Sequence, residues 1–283
     1  MSIYKEDLNE EFGVTYTWEN ATIKDSITTH RGTKVEMIER PNWGLACYMD
    51  NSIQSCEVDE RIYHEALVHP VMMSVNERKN VMIIGGGEGA TAREVLKWSG
   101  VEKVDMYEWD KDIVALFRTK YPQWAKGAWY DNRLTIKYLD IFKLIKFPPT
   151  IKYDVIIIDL FEPCEQNEKE WKTLLKSLHN WITLNGSIVM YAGMRNIPNS
   201  IQPYQQLIKL IEYDEVNNYI MKDFRLSKDI IPYRVHIPSF SGESTFLLLK
   251  HPNIVKEFDF NEATEHYSHI TQDVWNSYKT WNW

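Results

Sequence analysis

Cysteine is scarce in this chain: 283 residues hold three, Cys47, Cys56 and Cys164, far apart from one another. That number and spacing exclude a disulfide framework and a cysteine zinc site, and fit a reducing interior. No metal is expected. Long apolar runs are also missing, and Met1 to Asp7 offers neither a basic stretch nor an apolar core behind it. A membrane span and a secretory signal are therefore not expected, and the reading is a cytoplasmic protein. Basic residues are outnumbered, 32 against 40, for a formal net charge of -8. Such a field disfavours nonspecific nucleic-acid binding and tolerates a cationic ligand. Internal repeats and low-complexity segments are absent. Glycine is sparse as well, yet four of the 12 crowd into Gly85-Gly86-Gly87-Glu88-Gly89.

That crowding follows the apolar run Val81 to Ile84 and precedes Thr91 to Trp98, the pattern of a buried parallel strand, a tight turn and a helix. A glycine turn can serve only to pack a helix on its strand, or it can let a nucleotide approach the backbone. The pattern then recurs. Val104 to Glu108 is a second strand that ends on an acid twenty residues after Glu88, where a carboxylate can accept both hydroxyls of a ribose. Capping the next helix is the alternative role of Glu108, one that Asp110 could take instead. Leu134 to Ile141 supplies Asp140, placed to accept an adenine amino group, and Tyr153 to Asp159 is a fourth strand closing on a carboxylate. Four polar groups in order at the carboxyl edge of one sheet point to a ligand site. No Walker lysine follows the turn, so an adenosine without phosphates, such as a nucleoside sulfonium, suits it best.

Asp159-Leu160-Phe161-Glu162-Pro163 has a chemical reading. Two carboxylates three residues apart beyond a strand end can bind a cationic amine and take its proton. An ammonium has no lone pair, so an amine nucleophile must lose a proton before it attacks carbon; a partly desolvated carboxylate can accept it. Ahead of the sheet, Thr33 to Glu39, Gly44 to Met49 and Ser52 to Cys56 are separated by turn residues and read as antiparallel strands. The run Asp59 to Val68 reads as a bridging helix on which Asp59 pairs with Tyr63, and Arg61 with Glu65. The expected organisation is an α/β chain: residues 1–66 as a small antiparallel β-hairpin domain, and 67–283 as a Rossmann-like domain with a sheet of the class I methyltransferase type. Helices over Trp171 to Leu184 and Gln202 to Tyr213, and strands over Gly186 to Tyr191 and Thr245 to Leu249, complete it. The tail, with Trp275, Trp281 and Trp283, is expected to dock on its own body or on a sister subunit.

These pieces together resemble the polyamine aminopropyltransferases, the spermidine, spermine and thermospermine synthase family. The likeness rests on Gln54-Ser55, Asp59-Glu60, Tyr63-His64-Glu65, the glycine turn with Ala92-Arg93-Glu94, Glu108, Asp140 and Tyr153 to Asp159. Val68-His69-Pro70, the Glu in the turn and His236 to Phe240 look closest to the thermospermine branch. The resemblance implies transfer of the aminopropyl group of decarboxylated S-adenosylmethionine to putrescine or spermidine, with release of methylthioadenosine. That donor is a co-substrate, and no permanently bound cofactor or metal is implied. By position, Gly85 and Gly87 would cradle the donor, Glu108 its ribose, Asp140 with Ile141 its adenine, and Glu88 its aminopropyl ammonium. Glu88 would also repel the carboxylate of intact S-adenosylmethionine. Asp159 would be the proton acceptor, Tyr63 would orient the amine, Gln54 would also contact the donor, and Gln54, His64 and Glu162 would line the amine path. A homodimer or homotetramer is the family's habit. The chain departs from the pattern at Thr33, at Glu162-Pro163, at Cys164 to Glu168 and at Ser241-Gly242-Glu243, mostly on the acceptor side. The competing readings are a small-molecule methyltransferase, weakened by Glu88 and by Ile84 before the first glycine, and a non-enzymatic polyamine or nucleoside binder.

Overall fold

Alternating segments of the sequence form antiparallel strands, and the unbroken apolar runs form strands buried on both faces. The computed structural model describes residues 2–9, 14–195, 203–212, 230–250, 258 and 269–280. Strands β1 (Ile3–Asn9) and β2 (Val14–Glu19) pair as an antiparallel ribbon. Next comes a four-stranded antiparallel sheet, in chain order, of β3 (Thr22–Thr28), β4 (Lys34–Arg40), β5 (Gly44–Met49) and β6 (Ser52–Cys56). Helix α1 (Glu60–Met73) then carries the chain to the large sheet.

That sheet alternates strand and helix: β7 (Asn80–Gly85), α2 (Ala90–Leu96), β8 (Lys103–Glu108), α3 (Lys111–Lys120), β9 (Leu134–Tyr138), α4 (Ile141–Leu144), β10 (Tyr153–Asp159), α5 (Glu168–Trp181), β11 (Ile182–Met194) and α6 (Pro203–Glu212). Two more strands, β12 (Ile230–Ile237) and β13 (Gly242–Leu249), and a short helix α7 (Gln272–Tyr278) follow. The spatial order is β12-β13-β11-β10-β7-β8-β9. Strands β11, β10, β7, β8 and β9 run parallel, whereas β13 and β12 are antiparallel additions on one edge. Alternate residues of each central strand feed opposite cores. Val81, Ile83, Val155 and Ile157 pack under α1 and α2, while Met82, Ile84, Ile156 and Ile158 meet Trp171 and Leu174 of α5. The expected helix over Trp171 to Leu184 stops at Trp181, because Ile182 is extended and pairs with Tyr153. Its β-branched neighbours Ile182 and Thr183 suit a strand start better than a last helical turn.

Two features tie the end of the chain to the centre. Helix α1 contains Pro70, which has no N–H to offer the carbonyl of Ala66 four residues earlier. Tyr233 of β12 donates its hydroxyl to that carbonyl at 2.8 Å, so the group is satisfied across the core. The Tyr233 ring stacks on Phe246 and stands 5.0 Å from Trp275 of α7, which is buried. The aromatic tail thus docks Trp275 on its own body; Trp281 and Trp283 lie outside the described residues. Among the described residues, no helix is long and apolar enough to cross a membrane.

Replacing Trp275 with Ala empties a filled site against Tyr233, so unfolding should be easier by about 3–5 kcal/mol. Chemical denaturation checks this, and a change below about 1 kcal/mol would show that α7 does not help hold the core.

Candidate active site

The carboxyl ends of β7, β8 and β10 meet at the glycine turn. Gly85 has φ +89, and a Cβ there would overlap the carbonyl oxygen of Asp159, its register partner on β10. At Gly87 a Cβ would stand 2.8 Å from Ile113 and 3.0 Å from a Glu108 carboxylate oxygen. Only glycine lets these strand ends come so close. The turn opens on a cleft of about 900 Å³ whose lining includes Tyr63, Glu88, Glu108, Asp140, Asp159 and Glu162. Acidic side chains on its wall outnumber the basic ones, Lys143, Lys146 and Arg195.

One half of the cleft carries Glu108 and Asp140. Asp110, the alternative cap, does cap α3 by accepting from the Asp112 N–H at 3.0 Å. Glu108 is released from that role and is itself steadied by the Asp110 N–H at 2.9 Å. Burial pushes the Glu108 carboxyl up to about 7, with the charges of Glu88 and Asp110 adding to the rise against two backbone N–H groups. Asp140 accepts from the Phe142 N–H at 3.0 Å at the start of α4, next to Ile141. Exposed Trp109 and Leu139 give this half apolar walls. The sequence reading passed over Trp109, although an aromatic residue directly after Glu108 was a usable signal.

The other half is built around Asp159. Tyr63 donates to one carboxylate oxygen at 2.7 Å and Thr91 to the other at 3.0 Å. Burial raises the Asp159 pKa and the charge of Glu88 raises it further, against the opposing pull of His64, Tyr63 and Thr91. Tyr63 in turn lies among Tyr191, Phe240 and Phe246, with ring centroids 5.2 to 6.0 Å away. Tyr191 donates to Glu162 at 3.0 Å, so the second acid of the Asp-to-Glu pair is held over the cleft by β11. Thr91 and Tyr191 were not foreseen. Each stands beside a strand end that was, but such neighbours become visible only once strand order is known.

Several sequence expectations are corrected here. Asp59 does not pair with Tyr63; it accepts from the N–H and hydroxyl of Ser239, at 2.7 and 2.8 Å, pinning the turn after β12 to the start of α1. Tyr63 is drawn across the cleft to Asp159 instead. Glu65 accepts from the backbone N–H of His269. His64 is buried behind Glu88, with Nδ1 2.9 Å from Glu60 Oε2 and Nε2 2.8 Å from Glu88 Oε1. Gln54 does reach the cleft wall, where its amide donates to the Ser52 carbonyl at 3.2 Å. Thr33 sits in the β3–β4 turn, its carbonyl accepting from the Thr29 N–H at 2.9 Å. In the divergent segment Cys164 to Glu168, Asn167 accepts from the Cys164 N–H and donates to the Glu162 carbonyl. His64, Glu88 and Asp159 offer ligand-type atoms within 4.8 Å of one another.

Glu108 supplies a test of this electrostatic picture. Its pKa is higher in the folded protein, about 7 against 4.5, so the folded state binds more protons and stability falls as pH rises between those values. Glu108→Gln should remove that slope, leaving the variant about 2–3 kcal/mol more stable than the parent at pH 8 and equal at pH 4. Denaturation at both pH values measures the difference, and an equal effect at both would contradict burial as its source.

Comparison with known proteins agrees with this architecture. A spermine/spermidine synthase domain matches residues 60–257. A polyamine aminopropyltransferase of Prochlorococcus marinus is 30% identical over 248 residues, 86% of this chain and 81% of that protein. Another from Pyrobaculum calidifontis is 32% identical over 220 residues, covering 76% and 71%. The crystal structure of spermidine synthase from Thermotoga maritima superposes with a TM-score of 0.81 at 21% identity, over 99% of this chain and 91% of that one. A spermidine synthase solved with the transition-state analogue AdoDATO gives 0.79 at 22% identity, over 99% and 92%. These two structures share the fold, including the small antiparallel region ahead of the mixed sheet; none of the four is named a thermospermine synthase. By the extent of the domain match and the Prochlorococcus and Pyrobaculum relatives, the chain belongs to the spermine/spermidine synthase family.

Proposed function

We propose that this protein is a polyamine aminopropyltransferase that moves the aminopropyl group of decarboxylated S-adenosylmethionine to putrescine or spermidine. The observation that carries this reading is the Tyr63–Asp159 pair, 2.7 Å apart, facing the same cleft as Glu108 and Asp140. The nucleoside acids and the candidate base are thereby held on one rigid sheet edge. Glu108 accepts the ribose hydroxyls, Asp140 with Ile141 holds the adenine, and Gly85 and Gly87 let the donor lie against the backbone. Glu88 and Gln54 take the aminopropyl ammonium.

The acceptor amine binds between Asp159 and Glu162, oriented by Tyr63. Its lone pair attacks the methylene carbon beside the sulfonium: the C–N bond forms, the C–S bond breaks, and the electron pair returns to sulfur to give neutral methylthioadenosine. The amine proton goes to Asp159, whose raised affinity for it comes first from burial and then from Glu88. Attraction of a cation to the anionic wall serves binding. Removal of the proton by a desolvated carboxylate serves chemistry.

Intact S-adenosylmethionine would bring its carboxylate toward Glu88, a like-charge contact that disfavours it as donor. This sets the reading apart from a methyltransferase on the same sheet. We place the enzyme in the cytoplasm as a homodimer or homotetramer, supported by the composition and the family's habit; Trp275, committed to its own chain, lends no weight to that assembly.

Mass spectrometry after incubation with each donor and a polyamine panel tests the proposal. Methylthioadenosine and an amine heavier by one aminopropyl unit are expected, from the decarboxylated donor only. Asp159→Asn should lower kcat by roughly 10²–10⁴ while the fold persists. Adenosylhomocysteine from the intact donor would instead mean methyl transfer, and a variant that loses only affinity would mean a binder.

A further inference from the structure

Helix α1 carries two buried histidines, His64 and His69, five residues apart and opposite in electrical state. His69 accepts the Trp98 indole N–H on Nδ1 at 3.1 Å and faces Glu94 with Nε2 at 3.0 Å. Because an indole can only donate, His69 holds a single proton on Nε2 and is neutral. His64 has no such donor among its hydrogen-bond contacts. Its Nδ1 faces the Glu60 carbonyl at 2.6 Å and the Glu60 carboxylate at 2.9 Å, while Nε2 faces Glu88 at 2.8 Å. Acceptors on both sides are satisfied together by a doubly protonated ring.

The charge on Glu60 is itself fixed. Arg93 of α2 grips it with two hydrogen bonds, at 2.9 and 2.8 Å, and reaches Glu94 with Nε at 2.7 Å. Glu94 also takes the Lys97 ammonium at 2.6 Å. Charges therefore alternate from the partly exposed Lys97 inward through Glu94, Arg93, Glu60 and His64 to Glu88 at the cleft.

We infer that His64 is a permanent imidazolium that pins Glu88 and offsets its repulsion of Asp159, and that Glu60 and Arg93 are positioning residues that keep it charged. The inference rests on the functional reading above and assigns His64 a role behind the cleft wall rather than in direct contact with the amine. A protonated ring has no lone pair with which to hold an ammonium. It acts through Glu88, leaving two carboxylates 4.8 Å or less from it and from each other able to share the same cleft. The other ionisable groups around this cluster agree. Tyr63 on α1 and Cys47 on β5 are both pushed up, first by burial, and remain neutral, and Arg93 on α2 remains charged. Burial opposes protonation of His64, but its hydrogen bonds to Glu60 and Glu88 outweigh it and bring the ring to about 10.

NMR titration of the ring nitrogens in the intact wild-type enzyme, with His64→Gln to assign the signal, tests the charge directly. Both nitrogens should stay protonated through pH 8; a ring that is neutral at pH 7 overturns the inference. Glu60→Gln tests the role. In it His64 should titrate below the pH of the acid limb of kcat/KM, and that limb should move up by roughly one pH unit, because Asp159 then loses a neighbouring positive charge. A lower kcat/KM with an unmoved limb would reduce Glu60 to a structural part and overturn the positioning claim. A neutral His64 in an enzyme that makes the aminopropylated product refutes this inference alone, whereas a charged His64 in a protein that makes no product refutes the functional reading alone.

Discussion

The cleft depends on how closely two neighbouring strands approach at their ends. Asp159 and Gly85 are register partners, and the absence of a Cβ on Gly85 is what lets the Asp159 backbone lie against the turn. That contact brings the Asp159 carboxylate and Glu88 into one small volume, and the same lack of a side chain at Gly87 makes room for Glu108. A side chain at Gly85 would run into the Asp159 backbone, and one at Gly87 into Ile113 and the Glu108 carboxylate, so either would push the acids apart. The close backbone approach therefore comes first, and the anionic character of the site follows from it.

Concentrated negative charge is costly unless something compensates it. Compensation here comes from behind the wall, through His64, Glu60, Arg93 and Glu94, all buried. Each member has at least two polar partners, which is the condition under which a buried ionic network rigidifies a site instead of weakening it. Facing the cleft, Asp159 is satisfied by two hydroxyls, Tyr63 and Thr91, which orient it without neutralising it. The site thus holds its acids in place from one side and leaves the other side for a cationic substrate.

Much of this was legible in the sequence because buried parallel strands and their terminal acids are local patterns. Val81 to Ile84 and Tyr153 to Asp159 read as unbroken apolar runs, and the strands formed where those runs lie. β12 was missed: Pro232 in its middle argues against a strand, yet β12 is the edge of the sheet, where a missing N–H is tolerated. The Asp59–Ser239 and Tyr63–Asp159 bonds join residues 180 and 96 positions apart, and no periodicity reports such pairs. At helical spacing Asp59 and Tyr63 looked like partners of each other, but tertiary contacts outbid that weak local pairing. His64 was expected along the amine path, and neither its place behind Glu88 nor its charge was legible, since both depend on which atoms the fold sets against its two nitrogens.

The central claim is that Glu88 selects an aminopropyl donor by its charge. Calorimetric binding of decarboxylated and intact S-adenosylmethionine to the parent protein and to Glu88→Gln tests it most directly. The account predicts tighter binding of the decarboxylated compound by the parent, and a preference that collapses in the variant through both weaker binding of the cationic chain and relief of the repulsion. Equal affinities in the parent, or an unchanged preference in the variant, would contradict it.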